Sequence, residues 1–108
     1  MIKANFYQDQ AGKIVRFKLT GHADYSVAGA DIVCAGVSAL TFSTFNNLGR
    51  LLNQHPQLKQ DQENGGYFEV SGLAGDHDCQ LLLLAFQNGL LDIMNGYRQY
   101  LEVKIFAA

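Results

Sequence analysis

The sequence predicts an α+β fold in which two helices pack on one face of a small, mostly antiparallel sheet, with the element order ββαββαβ. Two observations support this prediction. Several short segments alternate apolar and polar residues, as half-buried strands do, and two longer segments carry apolar residues at helical spacing. The 108 residues have room for one domain, residues 1–108, because single domains most often contain about 100–150 residues.

The first two strands form a predicted hairpin. Residues 2–7 alternate apolar and polar side chains, residues 8–12 supply the turn, and residues 15–20 alternate again. Small and polar residues, punctuated by glycine, follow from Gly21 to about Asp31. This stretch is predicted to be a loop.

The first helix is predicted from apolar residues that recur at helical spacing between Val37 and Leu52. Pro56 follows closely, so the helix should end near Asn53. Residues 58–62 are then predicted to form a short polar edge strand.

A turn, a strand, a helix and a final strand complete the predicted domain. Residues 63–66 contain an Asn-Gly pair that favours a tight turn, and residues 67–71 alternate as a strand. Asp76 or Asp78 is expected to cap a second amphipathic helix. Residues 101–105 alternate once more and predict the last strand.

Three leucines lie outside the main apolar face of this second helix: Leu81, Leu84 and Leu91. Apolar surface left exposed on a helix often marks a contact with another protein. We therefore expect a homodimer.

Composition excludes several classes of protein. Hydrophobic residues make up 48% of the chain and charged residues 17%, whereas a disordered chain has few apolar residues and a high net charge. The net charge of −2 gives no general electrostatic basis for direct binding of nucleic acid. Two cysteines are too few for a disulfide scaffold or a four-cysteine zinc site.

Location follows from the same data. The first residues lack a basic-then-apolar secretion signal. The longest apolar cluster, residues 81–86, is far shorter than the ~20 residues that cross a bilayer. We therefore expect a cytoplasmic protein with free thiols and no membrane partner.

Cys34 and His22 are the candidates for catalysis. Cys34 is predicted to lie at or near the start of the first helix, where unpaired N–H groups and the helix dipole favour a thiolate. The amides around Cys34 and Ala35 would also hold the oxyanion of a tetrahedral intermediate. His22 follows a strand, and an imidazole beside a thiolate can protonate a leaving amine. The connection 23–33 is longer than the usual ~4–6 residues, so it can bring the pair together and act as a mobile flap.

Each of these residues also has a simpler interpretation. Cys34 can be a small buried hydrophobe, and His22 can be a surface group. Asp31 can cap the helix by accepting from the Cys34 N–H; a carboxylate so near a thiolate would oppose its ionisation unless it pairs with His22. Ser38, one turn after Cys34, can hydrogen-bond locally or face the site.

The remaining titratable residues do not predict a metal site. The run Asp76-His77-Asp78 has no accompanying pair of ligands, so helix capping is the preferred interpretation. Cys79 is predicted to be an inert thiol of the second helix. No phosphate-binding glycine loop follows a strand, and neither a metal nor an organic cofactor is expected.

Two segments carry a resemblance to a known family. They are Gly-His-Ala at residues 21–23 and Gly-Ala-Asp-Ile-Val-Cys-Ala at residues 29–35, followed by Val-Ser-Ala-Leu at residues 37–40. With this spacing the chain resembles, over nearly its whole length, the bacterial ribosomal-processing cysteine protease family, Prp. Gly36 departs from the resemblance, since the family often has alanine there, and should soften the helix start by about 1 kcal/mol.

The resemblance implies a protease that removes a short N-terminal extension from ribosomal protein bL27 of the large subunit. It also implies cleavage beside aromatic residues, a homodimer, a flexible loop over the site and a Cys34–His22 pair. Around that pair it implies supporting or substrate-binding roles for Gly21, Ala23, Asp31, Ala35 and Ser38. The residues alone leave two other functions open: a non-catalytic ribosome-assembly module with a structural cysteine, and a small thiol hydrolase with another substrate.

Overall fold

The computed structural model describes residues 1–21, 30–61 and 66–108. Five strands and two helices follow one another there in the predicted order. Their bounds are β1 Ile2–Gln8, β2 Ile14–Thr20, α1 Ala30–Leu52, β3 Gln57–Asp61, β4 Tyr67–Ser71, α2 His77–Gly96 and β5 Leu101–Ala107.

The strands form one sheet with the order β3-β4-β2-β1-β5. The pairs β1–β2, β2–β4 and β3–β4 are antiparallel. The edge strand β5 is parallel to β1, from Ile2 opposite Leu101 to Gln8 opposite Ala107. The predicted α+β fold with a mostly antiparallel sheet is therefore confirmed.

An aromatic cluster joins the sheet to α2. The Phe86 ring lies edge-on to Phe6 and Phe17, with ring centroids 5.5 Å and 5.0 Å away. All three side chains are buried. Such edge-to-face pairs add about 0.5–1.5 kcal/mol each beyond the burial of their area, so this cluster fixes the helix layer on the sheet.

The two helices approach each other closely through glycines. A Cβ built on Gly89 of α2 would lie 2.9 Å from Leu40 Cδ1 of α1, and one on Gly36 would lie 3.4 Å from Ile93 Cδ1. Leu40 thus occupies space that a larger residue at position 89 would need. The helices pack side by side because of these small residues.

Two helix ends agree with the sequence. Asn53 adopts φ 52° just after α1, and its amide and that of Gln54 donate to the carbonyls of Gly49 and Leu48. Asp76, rather than Asp78, is the N-cap of α2, since its side chain accepts from the Cys79 amide. Neither helix among the described residues combines the length and apolarity needed to cross a bilayer.

The start of α1 differs from the sequence-based expectation. The helix begins at Ala30, so residues 30–33 are helical and not part of the loop. Asp31 lies inside the first turn, where its Oδ1 accepts from the Ile32 amide at 2.9 Å. The predicted cap from Asp31 to the Cys34 N–H is wrong, because an α-helix directs that N–H to the carbonyl four residues earlier, at Ala30.

Candidate active site

An open cleft lies between α1 and the end of the sheet where β2 stops and β4 begins. Its volume is about 330 Å³. One wall is a face of α1, and the other is formed by the ends of the strands. The described residues that line it are Ile2, Leu19, Gly21, Cys34, Val37, Ser38, Thr41, Phe42, Gln60, Gly66, Tyr67 and Phe68.

Cys34 reaches this cleft from the second turn of α1. Its thiol is free and its side chain is half-buried. Ser38 and Phe42 follow at intervals of four residues and line the same cleft, because residues four apart share one side of a helix. The cysteine is thus open to a ligand in the cleft.

Cys79 has the opposite environment. It is fully buried at the start of α2, and burial raises the pKa of its thiol, with a smaller contribution from the nearby Asp76 carboxylate. A buried, protonated thiol is a poor nucleophile. Cys79 lies in the second helix, as predicted, and its burial supports the prediction that its thiol is inert.

The cleft brings together some of the predicted site residues. Gly21, Cys34 and Ser38 all line it. Asp31 and Ala35 are exposed on the first turns of α1 and are not among its lining residues. His22 and Ala23, with most of the predicted flap, lie outside the described residues.

Gly21 follows the last residue of β2 in a conformation that favours glycine. Its φ is +84°, and a Cβ there would overlap the backbone carbonyl oxygen of Met1. Its amide donates to the Gly66 carbonyl at 3.1 Å. The chain at the end of β2 is therefore held by backbone contacts. Its close approach to Met1 leaves no room for a side chain at position 21.

The oxyanion role expected of the Cys34 and Ala35 amides is not supported by this helix. Only the first few N–H groups of an α-helix lack an intrahelical acceptor. Cys34 is the fifth helical residue, because α1 starts at Ala30. Its amide and that of Ala35 are therefore already used within the helix.

Sequence reasoning missed the aromatic wall of the cleft. Phe42 on α1 packs edge-to-face on Phe68 of β4, with ring centroids 5.5 Å apart, and Tyr67 lies beside them in the lining. The sequence analysis did not single out Phe42. Pairing with a distant strand gives the residue its place in the cleft.

No group of three or more metal-capable side chains occurs within the described parts of the chain. The lining of the cleft offers a thiol, hydroxyls and an amide instead. Of these groups, the Cys34 thiol is the strongest nucleophile.

Known proteins match the chain over almost its whole length. The model of the family Cysteine protease Prp matches residues 1–102. The chain belongs to this family. It is accordingly a cysteine protease, which confirms the resemblance stated from residues 21–40.

Relatives of the family support the same fold and activity. The Ribosomal processing cysteine protease Prp of Bacillus subtilis is 40% identical over 108 residues, covering 95% of this chain and 96% of its own. The crystal structure of SMU.848 from Streptococcus mutans is similar with a TM-score of 0.91 and 32% identity, covering 100% of this chain and 96% of the other. The S. aureus protease Prp, solved with a covalently linked product peptide, gives a TM-score of 0.86 and 31% identity, covering 97% of this chain and 99% of its own.

Proposed function

We propose that this cysteine protease removes the short N-terminal extension of ribosomal protein bL27, with Cys34 as the nucleophile and His22 as the general acid and base. One observation carries the proposal: of the two cysteines, Cys34 alone lines the open cleft, while Cys79 is sealed in the core. A cysteine protease needs a thiol that a peptide can reach.

Support for His22 comes from its neighbour. His22 directly follows Gly21 in the sequence, and Gly21 lines the same cleft as Cys34. We propose that Gly21 and Ser38 contact the peptide, because both line the cleft. For Ala23, Asp31 and Ala35 we propose supporting roles.

The proposed reaction has two steps. The Cys34 thiolate attacks the scissile carbonyl carbon and forms a C–S bond. As the C–N bond breaks, His22 gives its proton to the leaving amine, which leaves an acyl-thioester. His22 then takes a proton from water, whose oxygen attacks the thioester carbonyl, and the C–S bond breaks to release the acid and the thiolate. No step calls for a metal or an organic cofactor.

The substrate assignment rests on the relatives. The B. subtilis protein is named a ribosomal processing protease, and the S. aureus structure holds a product peptide joined covalently to the protein. We propose the same processing role here, in the cytoplasm. The alternative of a non-catalytic assembly module is rejected, because the family to which the chain belongs is one of proteases.

A synthetic peptide tests the substrate. We expect a peptide that copies the bL27 extension and the residues after it to be cleaved at one bond, and a scrambled peptide of the same composition to be left intact. Mass spectrometry of the products identifies the bond. Equal cleavage of both peptides would instead indicate a small thiol hydrolase with another substrate.

We also propose a homodimer that forms through α2. Leu81 is 58% exposed and Leu84 is 43% exposed on this helix, whereas Leu91 is half-buried. Leu81 and Leu84 are three residues apart and so share one side of the helix, and an apolar patch there would suit contact with a second copy of the chain. Leu84→Lys should therefore shift the sedimentation coefficient from dimer towards monomer. Ile105→Lys, which changes a similarly exposed residue on β5, should leave it unchanged; a monomeric unmodified protein would contradict the dimer.

A further inference from the structure

The cleft continues along α1 well beyond Cys34. Cys34, Ser38 and Phe42 lie on one side of the helix at four-residue intervals, and all three line the cleft. Eight residues at a rise of 1.5 Å correspond to about 12 Å along the helix axis. A peptide extended along α1 would cover about 3.3 Å per residue, which would place Phe42 roughly three to four substrate residues from the scissile bond.

Phe42 is an exposed ring held in a fixed position. It is 40% exposed, yet it packs edge-to-face on Phe68 at 5.5 Å with an interplanar angle of 88°. Phe68 is itself held by Phe45 at 5.9 Å and by Phe17 at 6.5 Å. The free face of Phe42 is therefore preorganised, and covering it costs little ordering of the protein.

Apart from the Cys34 thiol, the described lining of the cleft also lacks charge. It contains no Asp, Glu, Lys or Arg side chain. Gln60, from the edge strand β3, brings an amide to the wall opposite α1. An ionised substrate side chain would lose water there without gaining an ion partner, which is costly.

We infer that Phe42 is a specificity-determining residue: it forms a subsite for an uncharged, apolar side chain three or four residues from the scissile bond. This inference rests on the proposed function, because it takes Cys34 as the point of cleavage. The subsite selects by attraction for apolar groups and by exclusion of charged ones, and both contribute to specificity.

Peptide sets test the subsite. Each set carries Leu, Lys or Glu at one position, up to four residues from the scissile bond on either side, and kcat/KM is measured for every peptide. The wild-type protease should prefer Leu to Lys by about tenfold or more at a position three or four residues away. Phe42→Ala should lower that ratio several-fold, because the apolar contact is lost, and leave the preferences at the other positions unchanged.

A second variant and a control separate the subsite from damage to the fold. Phe42→Glu should favour Lys over Glu at the same position, which a destabilised protein would not do. Phe106→Ala removes an equally exposed phenyl, 40%, from a ring pair with Tyr7, outside the cleft lining. It should leave all ratios as they are.

The outcomes distinguish the inference from the proposed function. If the wild-type enzyme cleaves the peptides but the Leu-to-Lys ratio at this position survives Phe42→Ala, the subsite assignment is overturned alone. If Phe42→Ala lowers kcat/KM of every peptide by one factor, the residue has only a structural role. A wild-type enzyme that cleaves none of them would contradict the proposed function as well.

Discussion

Cys34→Ala should lower kcat for the bL27 peptide by roughly 10³-fold or more, because removing the nucleophile of a covalent mechanism eliminates the acylation step. The fold should survive, since Cys34 is only half-buried and alanine is a good helix former. The rate of peptide cleavage and the melting temperature are the two measurements. A variant that is folded but inactive is the expected result.

Cys79 provides the matched control. Cys79→Ala deletes a fully buried thiol, so it should lower stability slightly while leaving cleavage nearly intact. At neutral pH, iodoacetamide should label Cys34 much faster than Cys79, because burial raises the pKa of the Cys79 thiol. Full activity of Cys34→Ala, or equally slow labelling of both thiols, would contradict the assignment.

Gly21→Ala should impair both stability and turnover. The new Cβ would be strained at φ +84° and would overlap the Met1 carbonyl oxygen. Strain in the left-handed region costs about 1–2 kcal/mol, and overpacking adds about 1–3 kcal/mol. Because the end of β2 must shift, kcat should fall by about 10²-fold, the effect of a misplacement near 1 Å.

Gly12→Ala separates the cost of the left-handed backbone conformation from the cost of the overlap with Met1. Gly12 has a similar φ of +80°, but a Cβ there meets nothing within 4 Å. This variant should show the conformational cost alone, with unchanged kcat. Denaturant unfolding and peptide cleavage measure the difference, and equal effects of the two substitutions would mean that the contact with Met1 is unimportant.

Local patterns in the sequence predicted much of the fold. The alternation at 2–7 and 15–20 predicted β1 and β2, and Pro56 indicated where α1 ends. The polar strand expected at 58–62 is observed at Gln57–Asp61. These elements were predictable because apolar and polar residues alternate, or recur at helical spacing, within one segment. Burial of the apolar face stabilises a segment with that pattern.

Other features depend on contacts that no local pattern encodes. The α1 start at Ala30 was missed because residues 28–31 combine glycine with small residues that are typical of loops. The parallel pairing of β5 with β1 joins segments that lie far apart in the sequence. The aromatic wall of the cleft depends on α1 packing over β4, where Phe42 meets Phe68.

The β1–β5 pairing also has a consequence for how the enzyme becomes active. Ile2 and Leu101 face each other in the ladder, and closing a chain loop of that length is entropically costly, so we expect this ladder to form late in folding. Ile2 also lines the cleft, and its amide donates to the Tyr100 carbonyl. The part of the cleft wall formed by Ile2 is therefore complete only when β5 has paired with β1, and we expect a chain without this pairing to bind its peptide more weakly.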